Sequence, residues 1–286
     1  MNFLDLINDV DADKLNGESK DKFLSRKQAL GKLSNFSKKL AVTALPLGAF
    51  AAFSKPAQAQ STDQLVDTLN FALTLEYLEA EYYQKGIDSG IVDSYGKVGG
   101  VSAQAHGDTF REIADHEADH VAFLTEVIGN VLGGEPAQKP TFDFTVDGAF
   151  DPFNNNAQFL ALAQAFEDTG VRAYKGQAGA VMGNDLVLTR ALQIHSVEAR
   201  HASRVRELRG LKGWITGDST EQSLPEAAQA VYEGETPETN TTQVVDVSAT
   251  LSGDGDVDNT DIAAAWDEFL TKDEVLAIAS LFIVEE

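Results

Sequence analysis

The chain has no cysteine among its 286 residues. That excludes iron–sulfur clusters, rubredoxin-type electron donors, thiolate catalysis, disulfides and a cysteine-borne lipid anchor. Positive charge is scarce as well: 22 Lys and Arg stand against 45 Asp and Glu, for a formal net charge of −23. Nine basic and six acidic residues precede Gln60, which leaves −26 on the remainder. A surface so acidic repels nucleic acid and anionic lipid and attracts cations. Nucleic acid is therefore not expected as a partner. Long apolar runs are also lacking. "LAVTALPLGAFAAF", between Lys39 and Lys55, is interrupted by Pro46 and falls short of the roughly 20 apolar residues a spanning helix needs.

That short run has the flanks of an export signal. Arg26, Lys27, Lys32, Lys38 and Lys39 precede it, and Ala57-Gln58-Ala59 follows as a small-x-small cleavage site. The long polar leader and "SRKQAL" resemble a twin-arginine signal in which Lys27 takes the place of the second arginine. Residues 1–59 are expected to be cleaved, leaving a periplasmic or extracellular protein with no stable membrane insertion.

With 43% hydrophobic residues, the remainder can bury a sizeable core in one main domain plus an appendage. Its apolar period is helical over four stretches, Thr62 to Ser89, Ser102 to Val131, Asn154 to Met182 and Asp185 to Leu211. Asn154–Asn156 offer a cap for the third helix, and Gly183-Asn184 makes a tight turn before the fourth. Between the second and third lies "GGEPAQKPTFDFTVDGAFDPF", long enough at about 3.3 Å per residue to run the length of a bundle. Two hairpins joined by one long crossover is the ferritin-like connection pattern, so the expected fold is an all-α four-helix bundle over residues 60–213.

The hairpins also repeat. Aligning "FALTLEYLEAEYY" with "LAQAFEDTGVRAY" pairs Glu76 with Glu167 and Tyr83 with Tyr174. Aligning "IADHEADHVAFLTEVIG" with "IHSVEARHASRVRELRG" pairs Glu117 with Glu198 and His120 with His201. Each half thus supplies one Glu and then a Glu-x-x-His. The second helix also contains His-Glu-x-x-His, the signature of zinc proteases. That reading needs His116, whose repeat partner is Val197, and no third ligand follows at a familiar spacing. It is set aside.

These polar residues sit where apolar ones belong. The second helix has a stripe of Phe110, Ile113, Glu117, His120, Leu124, Val127 and Val131; the fourth has Val187, Ala191, Ile194, Glu198, His201, Val205 and Leu208. Spacings of three and four define the core face of a packed helix. Four carboxylates pointing into a core need counter-charge, because an isolated ion there costs several kcal/mol at the least. Two divalent cations supply about four positive charges, with the imidazoles as neutral nitrogen ligands. Glu76, Glu117, His120, Glu167, Glu198 and His201 are therefore expected to hold two metal ions. A mixed Glu/His shell suits iron best and manganese next.

Further candidates surround this set. Glu79 shares a face with Glu76, but its repeat partner is Gly170; it is read as a supporting or additional ligand. Tyr83 and Tyr174 lie two turns past their glutamates, placed to hydrogen-bond ligand carboxylates or to pack as core aromatics. His116 and His195 are read as supports for the ligands or as residues of a helix seam. His106 is expected to be solvated near a helix start, and Glu81 to face the surface.

These strings resemble the exported ferritin-like domain family, which includes desiccation- and stress-related proteins. The resemblance rests on "LNFALTLEYLEAEYY", "DHEADHVAFL", "FEDTGVRAYKG", "IHSVEARHA" and "VYEGETPETNTTQ", spread over most of the chain after Gln60. It implies a ferritin-like bundle binding iron or manganese through the six residues above. It implies no single reaction.

From Gly213 the composition turns to Thr, Glu, Pro and Gly, which reads as an irregular acidic extension over 214–286. "SGDGDVDNTDIA" suggests a calcium loop, but position twelve counted from Asp254 is Ala265 rather than Glu. A solvated acidic turn over Asp254–Asp261 is the expectation. The final "LTKDEVLAIASLFI" is an amphipathic helix capped by Thr271 with Glu274 three residues on, suited to docking on the bundle or on a second copy. Two functions follow: redox chemistry with O2 or peroxide, including a di-iron oxidase or peroxidase and a manganese-catalase-like variant, or iron sequestration and stress protection without turnover.

Overall fold

The structure is a computed structural model and describes residues 61–94, 103–216, 230–235 and 264–284. The leader 1–59 and the segment Asp254–Asp261 lie outside the described residues.

Four long helices form the bundle. α1 spans Thr62–Ser89, opened by a capping box between Ser61 and Gln64 and closed by Gly90 at φ 78°. That is the left-handed conformation glycine adopts without penalty. α2 spans Ala103–Glu126. α3 spans Asn156–Val181, with the Asn155 side chain accepting from the N–H groups of Ala157 and Gln158. α4 spans Asp185–Leu208, capped by Asn184. α1 packs along α2 and α3 along α4, while α1 and α3 meet across the two hairpins. Residues 132–155 make the long crossover, and Phe142, Phe144 and Phe150 anchor it in the core. Tyr82 sits at the centre of that core, stacked on Phe159 at 5.0 Å and edge-on to Phe166 at 4.9 Å. Among the described residues the sole β feature is a bridge between Phe142 and Ile283.

One expected core position is lost. After Glu126 the helix widens into a π-turn over Val127–Val131, with Leu132 N–H donating to the Val127 carbonyl. The extra residue in that turn shifts the phase of the side chains. Val127 and Ile128 stay buried, while Val131, read as the last residue of the inward stripe, is 55% exposed.

α3 departs from amphipathic patterning altogether, for every residue from Phe159 to Tyr174 is buried. Its inner face meets the bundle and its outer face is covered by the extension. α5, Lys272–Ala279, carries the expected Thr271–Glu274 capping box. Its Val275, Ile278 and Ala279 pack with Phe71, Leu75, Ala161, Ala165 and Ala173. Burying a Val or Ile side chain stabilises by about 1.5–3 kcal/mol. Buried polar contacts fix the same region. Arg172 donates to the carbonyls of Val231, Glu233 (2.7 Å) and Glu268 (2.9 Å) and pairs with Glu235 at 3.2 Å. Arg206 and Tyr232 both donate to Asp168, and Gln164 donates to the Tyr232 hydroxyl. Among the described residues no helix is long and apolar enough to cross a membrane.

Candidate metal centre

The bundle brings the six expected residues to one level. Glu76 comes from α1, Glu117 and His120 from α2, Glu167 from α3, and Glu198 and His201 from α4. The Glu-x-x-His spacing places carboxylate and imidazole one helical turn apart on a single face. All four glutamates are fully buried. They and the histidines form two groups, Glu76, Glu117, His120 and Glu198, and Glu117, Glu167, Glu198 and His201. Within each group the ligand atoms lie within 4.8 Å of one another. Glu117 and Glu198 belong to both.

The contacts repeat the symmetry of the sequence. His120 Nδ1 lies 3.1 Å from Glu76 Oε2, 3.1 Å from Glu117 Oε2 and 3.2 Å from Glu198 Oε1. His201 Nδ1 lies 2.8 Å from Glu117 Oε1 and 3.3 Å from Glu167 Oε2. The tyrosines cross between hairpins: Tyr83 on α1 donates to Glu167 on α3, and Tyr174 on α3 donates to Glu76 on α1. Burial first, and the neighbouring carboxylates next, push both phenols well above their ordinary range, so each keeps its proton and donates.

Charge within this cluster does not balance by itself. Burial drives Glu76 up to about 7, against the pull of His120. Burial and the neighbouring carboxylates raise Glu198 well above the usual range, and burial raises Glu167. Glu117 alone is held near 2, because burial is outweighed there by His120 and His201. The imidazoles move oppositely: despite burial, Glu167 and Glu117 raise His201 to about 11, and hydrogen bonds to the carboxylates raise His120 further. With two imidazolium groups against four acids, the cluster meets its shortage of positive charge by shifting three carboxyls toward their protonated form. Several ligand atoms are also buried without an aligned hydrogen-bond partner: Glu117 Oε1, Glu167 Oε2, both Glu198 oxygens and His201 Nδ1. Unsatisfied oxygen and nitrogen donors converging on a volume short of positive charge are what a pair of divalent cations requires. The residues present fit two such ions.

The other candidates fall in three places. His116 meets the cluster: its Nδ1 lies 2.9 Å from His201 Nε2, with the rings stacked at 5.2 Å. His195 does not, for its charged influences are Lys175 and Asp267, with burial first in lowering it. Glu79, 3% exposed on α1, belongs to neither group, although the four carboxylates are the leading charges acting on it. Glu81 is paired with Lys85 at 2.9 Å and with Lys139 at 2.5 Å, near the surface as expected. His106 corrects its expectation. It is buried rather than solvated, because it stands one turn before Phe110 and continues the inward stripe of α2. Arg172, Arg206, Asp168 and Glu235 were not singled out from the sequence. For Asp168 and Arg172 the one signal was charge on α3, a helix that proves to be buried all round.

A family model described as a ferritin-like domain matches residues 64–211, just over half of the chain. The chain belongs to the ferritin-like family. The match covers α1 to α4 and so contains all six residues of the two groups. No curated protein matches this ferritin-like chain.

Proposed function

We propose that this ferritin-like protein is exported, holds two ions of iron or manganese, and uses them in redox chemistry with O2 or peroxide. One observation carries the metal reading: the two groups of convergent ligands share Glu117 and Glu198. Glu117 and Glu198 would serve both ions of a pair. Glu76 and His120 would complete one position, Glu167 and His201 the other. Bound there, the metals would supply oxidant binding and electron transfer.

The chain's own groups have definable tasks. Tyr83 and Tyr174 hold Glu167 and Glu76 by donated hydrogen bonds, which orients the free oxygens toward the centre. His116 faces the second nitrogen of His201 and so fixes that ring with Nδ1 turned to the carboxylates, as outer partners of ligating histidines do. Phe110, Ile113, Leu124, Ile194 and Val205, above and below the carboxylates on α2 and α4, are buried and keep bulk water away. Export is supported by the basic leader, the apolar run and Ala57-Gln58-Ala59. This reading includes association between copies.

The test is metal analysis of protein purified from its own host, since zinc or copper outcompetes iron and manganese in a recombinant preparation. Wild type is expected to carry about two ions per chain, and Glu117→Ala and Glu198→Ala each to abolish binding. Full occupancy in both variants would falsify the assignment. O2 and peroxide consumption then separates the roles. Many turnovers per centre support catalysis, and a single stoichiometric oxidation supports sequestration.

A further inference from the structure

The repeat matches every residue of the two groups with its like, yet it pairs Glu79 with Gly170. The fold gives this mismatch a physical reason. A Cβ on Gly170 would lie 2.8 Å from Glu198 Oε2 and 3.3 Å from Glu79 Oε1. The volume beside the α3 backbone is therefore taken by two carboxylates, one from α4 and one from α1. A side chain in either place would be natural; both halves cannot supply one, because the space admits a single extra group.

Glu79 is otherwise poorly accounted for. It is 3% exposed, and after burial the leading influences on it are Glu198, Glu117, Glu167 and Glu76, all of them negative. It borders a small cavity shared with Leu75, Leu78, Phe166, Thr169, Gly170 and Ile278. The Thr169 hydroxyl there donates to the Ala165 carbonyl. Both oxygens of its neighbour Glu198 are buried without an aligned hydrogen-bond partner. Two buried carboxylate ends facing one gap define a place for a cation.

We propose that Glu79 is a fifth carboxylate ligand of the centre, reaching through the gap at Gly170 to an ion bound by Glu198, and that it makes the two metal positions unequal. The proposal rests on the two-metal reading. Its consequence is that one ion is held more tightly than a symmetric site would hold it, and that a symmetric pair of identical affinities does not occur. Because the fifth carboxylate adds negative charge, the favoured ion is a hard one that takes oxygen ligands.

The experiment is anaerobic equilibrium dialysis of the full-length protein against Mn(II), with elemental analysis, on wild type, Glu79→Gln, Glu79→Asp and Gly170→Ala, and Glu81→Gln as control. It is accompanied by a crystal structure of the Mn(II)-loaded wild type. Loss of a carboxylate partner around a metal costs about 10- to 100-fold in affinity. Glu79→Gln is expected to weaken one of the two binding events by that factor and leave the other unchanged. Glu79→Asp, with a shorter reach, should fall between. Gly170→Ala should weaken both events by displacing Glu198, which serves both positions, as well as Glu79. Glu81→Gln should bind as wild type does. In the loaded crystal a Glu79 oxygen should be bonded to one ion. If Glu79→Gln fails to fold, Glu79→Asp and the loaded crystal decide. Two ions bound with unchanged affinities in Glu79→Gln, or Glu79 remote from both ions in the crystal, overturns this proposal and leaves the two-metal reading standing. Wild type that binds no Mn(II) overturns both.

Discussion

The two hairpins carry the same ligands in the same order, yet their outer faces have gone separate ways. On α3 and α4, Asp168, Arg172 and Arg206 occupy positions that Tyr77, Glu81 and Thr125 hold on α1 and α2. Arg172 and Arg206 are almost fully buried beneath the extension. Glu81 instead forms ion pairs with two lysines at the rim of the bundle. The inward face of each hairpin answers to the carboxylate cluster, which is shared. The outward face answers to whatever covers it. Among the described residues, 230–235 and α5 cover the outer face of α3, and there the charged positions became internal anchors.

Substitutions at equivalent positions test that contrast. Arg172→Met removes three donated hydrogen bonds and strands Glu235 without its partner. Breaking a buried pair in this way costs about 3–5 kcal/mol, to be read from denaturant unfolding of the metal-loaded protein. A loss below about 1 kcal/mol would mean that the extension contributes little to the second hairpin. The same region should also respond to pH. Burial lifts Glu235 to about 7 from an ordinary 4.5, more than Arg172 lowers it. The folded state then binds the proton more tightly than the unfolded state. Stability from this group is fully present below the unfolded value and is lost as pH rises to about 7, by at most about 3 kcal/mol in total. Glu235→Gln should remove that slope, and the difference between its unfolding curve and that of wild type across this range measures it.

The fold was largely legible because the bundle needs little more than period, caps and loop length. The alternation of three and four in α2 and α4, the asparagines before α3 and α4, and the Thr271–Glu274 box all act locally. The six convergent residues were legible for a different reason: they are charged groups on apolar stripes, and they recur in both halves. What escaped was non-local. Val131 left the core because a π-turn of five residues broke the period, and nothing in the side chains of that turn demanded it. Asp168 and Arg172 carry no local mark of burial, because nothing within α3 itself shows that both its faces are covered. The burial of Asp168 and Arg172 depends on chain arriving from more than fifty residues away. His106 was misjudged by its polarity, although its position one turn before Phe110 was already on the stripe.

Smaller effects should be equal between the hairpins. Tyr83→Phe and Tyr174→Phe each remove the donor to a buried carboxylate, a loss of about 1–3 kcal/mol in metal-free protein. Thermal unfolding of the two variants side by side would show whether the inner faces are as alike as the repeat implies; losses differing by more than about 1 kcal/mol would break the symmetry there too. Smallest of all, Glu81→Gln should change stability by no more than about 1 kcal/mol, since its ion pairs are near the surface, as a denaturant midpoint close to that of wild type would show.

The crossed tyrosines carry a consequence for how such a molecule could be taken apart. Each hairpin lends its phenol to the glutamate of the other, so neither owns a finished half of the centre. A severed hairpin would be left with a bare acid and an idle hydroxyl, and would recover only by meeting its counterpart or a twin of itself. The duplication written into the chain therefore resembles a handshake made permanent by a tether, in which the long crossover keeps the two hands within reach.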